Sequence, residues 1–216
     1  MSANASFSVE KFSKIPVVGI IRGYDMATIR SISKAYMEAG FYALEITMNT
    51  QGATEMIGAM QAEFPELSIG AGTVCNLTDF NNAIEAGANF IVTPIINEEV
   101  IKASVVLNIP IFPGAYTPSE IYKAWSLGAT AVKLFPATQL GVSFIKDVLA
   151  PLNDIKLLPT GGVSLQNIKS FFDAGVYGVG MGSSLLDKKM IQSADFEGLR
   201  AHFITIKQAI NIATPT

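Results

Sequence analysis

The 216-residue sequence predicts an α/β fold, a single (β/α)8 TIM barrel, on three observations. Four glycines that end helical patterns are each followed at once by an apolar strand, at a spacing of roughly forty to forty-seven residues that suits two strand–helix units. A further apolar segment precedes each of these four units. Amphipathic helical patterns separate the segments, and eight such alternating units favour a closed parallel barrel over an open sheet.

The four glycines that end helices are Gly40, Gly87, Gly128 and Gly175. A glycine directly after a helix relieves the left-handed turn that leads into the next strand. With the segments between them, the predicted strands are residues 16–21, 43–47, 67–73, 90–94, 109–113, 131–135, 155–160 and 177–180.

The helical patterns between the strands have recognisable starts and apolar faces. Thr117, Pro118 and Glu120 combine an N-cap, a proline at the first helical position and a capping-box glutamate. Asn97 precedes two glutamates, which the helix dipole favours in a first turn. Two stripes at helical spacing are expected to pack on the barrel: Ala53, Met56, Met60 and Phe64, and Phe196, Leu199, Phe203, Ile206 and Ile210.

Residues 1–216 are expected to form this one domain, because single α/β barrels run to about 200–250 residues. No linker, low-complexity stretch or second domain is evident in the sequence. A segment at about residues 6–13, with Val9 and Phe12, is expected to form a short helix that caps the bottom of the barrel.

The composition narrows the partners of the protein. Charged residues make up 15% of the chain and apolar residues 50%, so part of the outer surface is expected to be buried in a homo-oligomer. A net charge of −3 without a basic run argues against nucleic acid and membrane partners. The single cysteine, Cys75, cannot form an intrachain disulfide, and neither a secretory signal nor a transmembrane stretch is evident. We therefore expect a cytoplasmic protein with a small-molecule partner.

Lys133 is the most informative residue, because it stands in the otherwise apolar run 129–136, which predicts a buried strand. Burial lowers the pKa of lysine, which leaves part of the amine neutral and able to form a Schiff base with a carbonyl carbon. The alternative is a lysine at a strand end whose ammonium reaches water. Glu45 is likewise the one ionisable group of an apolar strand. It is either a carboxylate that transfers protons or the partner of a structural salt bridge.

Active sites of such barrels lie at the carboxyl ends of the strands, where this sequence has several polar groups. Paired glycines after the seventh predicted strand and a glycine followed by two serines after the eighth are expected to bind phosphate through backbone N–H groups and hydroxyls. The predicted catalytic residues are Lys133 and Glu45. The predicted substrate-binding residues are Arg22, Thr47, Asn49, Thr73, Pro94, Phe135, Thr160, Gly161, Gly162, Gly182, Ser183 and Ser184.

Other chemistries lack the necessary residues. His202 is the only histidine and falls in a helical pattern, where we expect a surface or packing role. Neither a histidine-based triad nor a multi-histidine metal site can be built, so no metal and no cofactor is predicted. Residues 178–182 miss the spacing of a dinucleotide-binding fingerprint. The remaining alternatives are a phosphate-binding barrel that acts as an epimerase or decarboxylase, and a non-catalytic barrel that binds a keto acid.

Six motifs in order resemble the 2-keto-3-deoxy-6-phosphogluconate (KDPG) and 4-hydroxy-2-oxoglutarate (KHG) aldolases, and together they cover nearly the whole chain. They are Glu45-Ile46-Thr47, Gly70-Ala71-Gly72-Thr73-Val74, Val92-Thr93-Pro94, Phe112-Pro113-Gly114, Val132-Lys133-Leu134-Phe135-Pro136 and Pro159-Thr160-Gly161-Gly162-Val163. The resemblance implies a metal-free class I aldolase, usually a trimer, that cleaves a 2-keto-4-hydroxy acid to pyruvate and an aldehyde.

The resemblance also implies roles for individual residues. Lys133 matches the Schiff-base lysine and Glu45 the acid/base glutamate, while Thr73 matches a residue near the pyruvate carboxylate. Gly161, Gly162 and Ser184 fall where the family binds the substrate phosphate.

The sequence departs from the family's motifs at one position, which concerns binding of the substrate carboxylate. Gluconate-type members have an arginine where this chain has Asn49, which removes a bidentate clamp. Galactonate-type members have asparagine there and end the first strand with a sequence similar to Ile20-Ile21-Arg22-Gly23, so Arg22 becomes the candidate partner of the carboxylate. Thr160, in contrast, is the gluconate-type residue. The preference at C4 therefore stays open between the two types.

Overall fold

The computed structural model describes residues 7–213, with side chains described for residues 7–210. Strands and helices alternate along these residues. The strand segments are β1 (Val17–Ile21), β2 (Ala43–Thr47), β3 (Ser68–Gly72), β4 (Ile91–Val92), β5 (Ile111–Phe112), β6 (Gly114–Ala115), β7 (Val132–Leu134), β8 (Leu157–Pro159) and β9 (Val179–Met181). The helices are α1 (Val9–Lys14), α2 (Met26–Glu38), α3 (Ala53–Glu63), α4 (Leu77–Glu85), α5 (Glu98–Val106), α6 (Pro118–Ser126), α7 (Gly141–Leu149), α8 (Ile168–Asp173), α9 (Lys188–Gln192) and α10 (Phe196–Ala213).

The strands form curled parallel sheets, which confirms the predicted α/β class. One sheet has six strands in the order β5-β4-β3-β2-β1-β9, and the other has three in the order β6-β7-β8. Within each sheet, every pair of neighbouring strands is parallel. Each strand therefore ends on the same rim, where the predicted site residues are found.

The fifth predicted strand differs from the structure, because it is divided at Pro113 into β5 and β6. Proline has no N–H to donate to a ladder. Residues before Pro113 pair with β4, and residues after it pair with β7. The carbonyl of Pro113 accepts a hydrogen bond from the Lys133 N–H at 2.9 Å, so the division point also contacts the strand that carries the lysine.

The helix ends follow the sequence signals. Gly40, Gly87, Gly128 and Gly175 all have φ between 87° and 99°, the left-handed conformation expected at the end of a helix. The capping box at the start of α6 is formed by the Thr117 and Glu120 side chains, and the Asn97 side chain caps α5. Both predicted stripes are confirmed as inward-facing: all members are buried except Phe196, which packs against the core while partly exposed.

Aromatic side chains fill the end of the fold opposite the strand rim. Phe12 of α1 is fully buried and packs 6.4 Å from Phe112 between ring centroids, and Phe7 lies within 6.0 Å of the same ring. A short helix is therefore present in the predicted segment, but Val9 is 50% exposed on the outer face of α1 and takes no part in this packing. Phe7 packs there instead. Residue 6, at the start of the predicted segment, lies outside the described residues.

Within residues 7–213, no helix combines the length and the apolar character needed to cross a membrane.

Candidate active site

Lys133 is held rigidly in the middle of β7. Its backbone pairs with Gly114 of β6 on one side and with Leu158 of β8 on the other. The side chain is only 5% exposed, and its Nζ atom lies 4.9 Å from the centroid of the Phe135 ring. The amine that the sequence predicts to be buried is therefore buried.

Burial governs the protonation of this amine. Removal from water lowers the pKa of Lys133, the negative charge of Glu45 raises it, and the positive charge of Arg22 lowers it again. The direction is downward, because desolvation is the largest of these effects. A lowered pKa increases the neutral fraction of the amine near neutral pH, and the neutral amine is the form that adds to a carbonyl carbon.

Glu45 lies in β2 and is 1% exposed. Its carboxylate occupies space above Gly72 of β3, where a Cβ atom would lie 2.5 Å from Oε1. The other oxygen, Oε2, has no hydrogen-bond partner among the described residues. Burial raises the pKa of Glu45, while the positive charges of Lys133 and Arg22 oppose that rise. A buried carboxyl group with a raised pKa is suited to exchange protons near neutral pH.

Arg22 follows β1 and connects this centre to β3. Its Nη2 atom donates to the Thr73 hydroxyl at 3.4 Å. Thr73 has a φ of 58°, which is unusual for a β-branched residue and indicates local strain at the end of β3. Strained backbone of this kind often occurs at functional sites, where it aims a side chain.

One cavity of about 420 Å³ collects most of the predicted site residues. Its walls come from the ends of β1, β7, β8 and β9 and from the loops that follow them. The predicted residues that line it are Arg22, Lys133, Phe135, Thr160, Gly161, Gly162, Gly182, Ser183 and Ser184.

Two predicted residues do not line this cavity but interact with residues that do. Glu45 does not line it, but its charge acts on Lys133. Thr73 does not line it either and contacts it through Arg22.

Three further predicted residues lie away from the cavity. The hydroxyl of Thr47 is buried 3.1 Å from that of Thr50, whose Oγ1 accepts a hydrogen bond from the Gly23 N–H. Asn49 is exposed, because β2 ends at Thr47 and the chain turns outward. Pro94 lines a neighbouring cavity of about 520 Å³. The structure thus gives these three no contact with the main cavity.

The predicted phosphate loops have the expected backbone but a different hydrogen-bonding pattern. Gly161 and Gly162 have φ values of 93° and 77°, so both adopt the left-handed conformation that glycine tolerates. The Ser184 hydroxyl donates to the carbonyl of Val163 and so links the two loops. Ser184 lines the cavity as expected, with its hydroxyl proton directed to the Val163 carbonyl, and its role at the phosphate stays a prediction.

His202 supports the same loop from α10. Its Nε2 atom lies 3.0 Å from the carbonyl oxygen of Ser184. The expected packing role of this histidine is therefore a specific one, the positioning of the loop after β9.

Several cavity-lining residues were not predicted from the sequence. They are Ile20, Tyr24, Val163, Gly180, Leu186 and Lys188. Tyr24 could have been found, since it follows the strand-end pair Arg22-Gly23 by one position. The sequence contains no signal that Lys188 belongs to the site, because a lysine four residues after a serine pair is typical of a solvated turn.

A buried amine of lowered pKa at the mouth of a parallel α/β fold, under the influence of a buried carboxylate, defines a class of enzyme. The fold and this site are those of a class I aldolase, which forms a Schiff base with its keto substrate. Among residues 7–213, no three His, Cys, Asp or Glu side chains are grouped so as to hold a metal ion.

Comparison with known proteins agrees with this class. The model of the KDPG and KHG aldolase family matches residues 9–201. A 2-dehydro-3-deoxy-phosphogluconate aldolase from Haemophilus influenzae is 33% identical over 91% of this chain and 93% of its own length. A 2-dehydro-3-deoxy-6-phosphogalactonate aldolase from Escherichia coli is 35% identical over 80% of this chain and 85% of its own. The chain belongs to the KDPG and KHG aldolase family.

A solved structure adds chemical detail for one relative. The KDPG aldolase of Legionella pneumophila, with pyruvate captured as a covalent carbinolamine intermediate, superposes with a TM-score of 0.85. It is 26% identical to this chain, and the match covers 92% of this chain and 97% of the other.

Proposed function

We propose that this class I aldolase reversibly cleaves a six-carbon 2-keto-3-deoxy-6-phospho sugar acid to pyruvate and glyceraldehyde 3-phosphate, with Lys133 as nucleophile and Glu45 as acid and base. The observation that carries the proposal is the pairing of two buried ionisable groups, Lys133 and Glu45, each of which shifts the pKa of the other. The five-carbon 4-hydroxy-2-oxoglutarate, which would yield glyoxylate, shares the reacting part of the molecule.

The first half of the reaction attaches the substrate. The neutral amine of Lys133 adds to the C2 ketone and gives a carbinolamine. Loss of water leaves an iminium ion, whose positive nitrogen can accept the electron pair of a breaking bond. The Phe135 ring beside Nζ covers the amine and limits the access of water to it.

The second half breaks the carbon–carbon bond. Glu45, directly or through a water molecule, removes the proton of the C4 hydroxyl. The C4 oxygen then forms the aldehyde carbonyl, the C3–C4 electron pair moves into the iminium, and the aldehyde leaves. Protonation of the resulting enamine at C3 gives the pyruvate imine, which water hydrolyses to pyruvate and free Lys133.

Different groups of this cavity would hold the two ends of the substrate. Arg22, oriented by its hydrogen bond with Thr73, is the partner of the C1 carboxylate. Gly161, Gly162 and Ser183 line the same cavity, and their backbone N–H groups and hydroxyl would bind the phosphate. Binding at both ends would align the C3–C4 bond with the iminium. The gluconate and galactonate substrates are epimers at C4. Comparing kcat/KM for the two epimers decides which one the enzyme prefers.

Covalent trapping tests the central role of Lys133. Reduction with borohydride in the presence of pyruvate should leave a carboxyethyl group on Lys133, identified by peptide mass spectrometry. Lys133→Ala should lose both the adduct and turnover, while its thermal stability stays equal or rises, because a costly buried amine is removed at the expense of a small cavity.

The matched control is Lys156→Ala, since Lys156 is exposed and lies at the opposite end of the neighbouring strand, over the ring of Tyr177. It should keep both adduct and turnover. An adduct on another lysine, or turnover that survives in Lys133→Ala, would refute the assignment.

We also infer that the strands close into one eight-stranded barrel in a single domain. Two observations support closure: β5 and β6 are consecutive in the chain with only Pro113 between them, and a parallel bridge joins Thr160 to Gly180 at the other edges of the two sheets. The aromatic side chains around Phe12 would then plug the bottom of that barrel.

The protein is proposed to act as a cytoplasmic homotrimer in carbohydrate metabolism, with a small keto acid as its ligand and with neither nucleic acid nor membrane as a partner. The low proportion of charged residues and an apolar outer face support self-association.

A further inference from the structure

Three cationic side chains line the main cavity, and no carboxylate of the described residues lines it with them. Arg22 and Lys133 have roles at the keto-acid end of the substrate. The third cation, Lys188, begins α9 just beyond the loop that follows β9. The reaction proposed above assigns it no role.

Lys188 stands where its charge is available to a ligand. With Arg22 and Tyr24 it lines both the main cavity and a smaller neighbouring cavity of about 230 Å³. It makes no ion pair within 4.0 Å with any acidic side chain of residues 7–210. The adjacent Asp187 carboxylate instead accepts hydrogen bonds from the backbone N–H groups of Lys189 and Met190.

Apart from Arg22, Lys133 and Lys188, the donors that line the cavity are uncharged. The Thr160 and Ser184 hydroxyls donate to backbone carbonyls, which leaves the Tyr24 and Ser183 hydroxyls and the N–H groups of the glycine pair. A phosphate monoester carries about −1.5 to −2 charges near pH 7. Hydrogen bonds from a charged donor are roughly twice as strong as those from neutral donors, so a nearby ammonium group changes the affinity for a dianion substantially.

We propose that Lys188 is a specificity-determining residue that binds the substrate phosphate and makes the enzyme select phosphorylated over unphosphorylated aldehydes. The inference rests on the proposed aldolase function, and it assigns the phosphate a charged partner in addition to the glycine and serine loops. The exposed position of Lys188 allows its ammonium group to contact a ligand that enters from solvent.

The test measures aldol condensation of pyruvate with glyceraldehyde 3-phosphate and with glyceraldehyde, using the full-length protein. Lys188→Met keeps the aliphatic part of the side chain and removes the charge. We expect Lys188→Met to lower the ratio of kcat/KM for glyceraldehyde 3-phosphate to kcat/KM for glyceraldehyde about tenfold. The change should appear as a raised KM for the phosphorylated aldehyde, because the lost contact stabilises the bound substrate and the transition state equally. Lys188→Arg should restore the ratio.

Lys189→Met is the matched control, because Lys189 is the next residue of α9, is exposed and does not line the cavity. It should keep the wild-type ratio. If Lys188→Met and Lys189→Met give the same ratio, or if the wild-type enzyme does not prefer the phosphorylated aldehyde, the role of Lys188 is refuted while the aldolase function stands. Absence of both turnover and a pyruvate adduct in the wild-type protein would instead refute the proposed function.

Discussion

At the scale of single residues, Lys133 and Glu45 stabilise each other's charged forms in surroundings that oppose charge. Burial lowers the pKa of the lysine and raises that of the glutamate, and each opposite charge partly reverses the other shift. Both pKa shifts are toward neutral pH, the range in which acid and base catalysts work best. Position alone thus gives two ordinary side chains the properties that the proposed roles of nucleophile and proton-transfer group require.

Glu45→Gln tests this coupling. Removing the negative charge removes an effect that raises the pKa of Lys133, so that pKa should fall further and the neutral amine should persist to lower pH. The pH at which pyruvate trapping by cyanoborohydride begins should therefore shift downward. Turnover should nevertheless fall by roughly 10²–10⁴, the usual contribution of one general acid or base.

Glu66→Gln serves as the control for that variant, since Glu66 is exposed in the turn before β3. It should leave both the trapping profile and turnover unchanged. Wild-type turnover in Glu45→Gln would exclude proton transfer by this residue, and an upward shift of the trapping profile would contradict the electrostatic coupling.

The sequence predicts Lys133 and Glu45 as a catalytic pair because each is an ionisable residue in an otherwise apolar strand. It does not predict Lys188 or Tyr24. Both lie after the end of a strand, where the path of the chain decides whether a residue lines the cavity. The hydrogen bond from Ser184 to Val163 was hidden for a similar reason: it joins two loops that are distant in sequence. Asn49 was placed in the site because it matches the position of the arginine in gluconate-type family members; in the structure it follows the end of β2 at Thr47, where the chain turns outward.

At the scale of elements, β3 accommodates the glutamate of its neighbour. Gly72 pairs with Thr47 of β2, and its missing side chain leaves the volume that the Glu45 carboxylate occupies. The spacing of Gly70 and Gly72 along β3 gives the same face of that strand two positions without a side chain. This face of β3 thus serves the site as well as the core.

Gly72→Ala should displace the Glu45 carboxylate, because the added Cβ would lie 2.5 Å from Oε1. We expect kcat to fall at least tenfold with a smaller change in the pyruvate-trapping yield, since Lys133 itself is untouched. Steady-state kinetics and trapping on the same preparation measure both quantities.

Gly58→Ala provides the comparison, since a Cβ at this position in α3 would lie 3.6 Å from its nearest neighbour, the Ala86 carbonyl oxygen. It should keep wild-type kinetics and raise stability by about 0.5–1 kcal/mol, the usual gain for alanine over glycine within a helix. Equal kinetics in the two alanine variants would show that Glu45 does not need the space above Gly72.

Element boundaries were predictable where the chain carries its own signals. The helix-ending glycines and the caps at Asn97 and Thr117 have local physical causes, and the structure has them. The division of the fifth strand at Pro113 was not foreseen, because the exchange of β4 for β7 as partner depends on strands far away in sequence.

At the scale of the whole molecule, one side of the fold has the apolar surface that the composition predicts. Six of the large apolar side chains that are exposed in residues 7–210 lie on α5, α6 and their flanking loops. They are Ile95, Val105, Val106, Leu107, Tyr116 and Tyr122. The Glu98–Lys123 ion pair of 2.8 Å joins the two helices, so they are neighbours on the outer surface. We propose that this apolar surface is the contact with another copy of the chain.

Sedimentation analysis of the wild-type protein should give a mass about three times the 23.0 kDa of one chain. Val106 is 78% exposed near the end of α5, and Val106→Lys should shift the mass toward that of one chain, because an ammonium group buried at an apolar contact is costly. The fold should be unaffected, since a lysine near the end of a helix suits the dipole. Val9→Lys, on the exposed face of α1, is the control and should keep the wild-type mass. A wild-type monomer, or equal masses for both lysine variants, would exclude the α5–α6 face as the subunit contact.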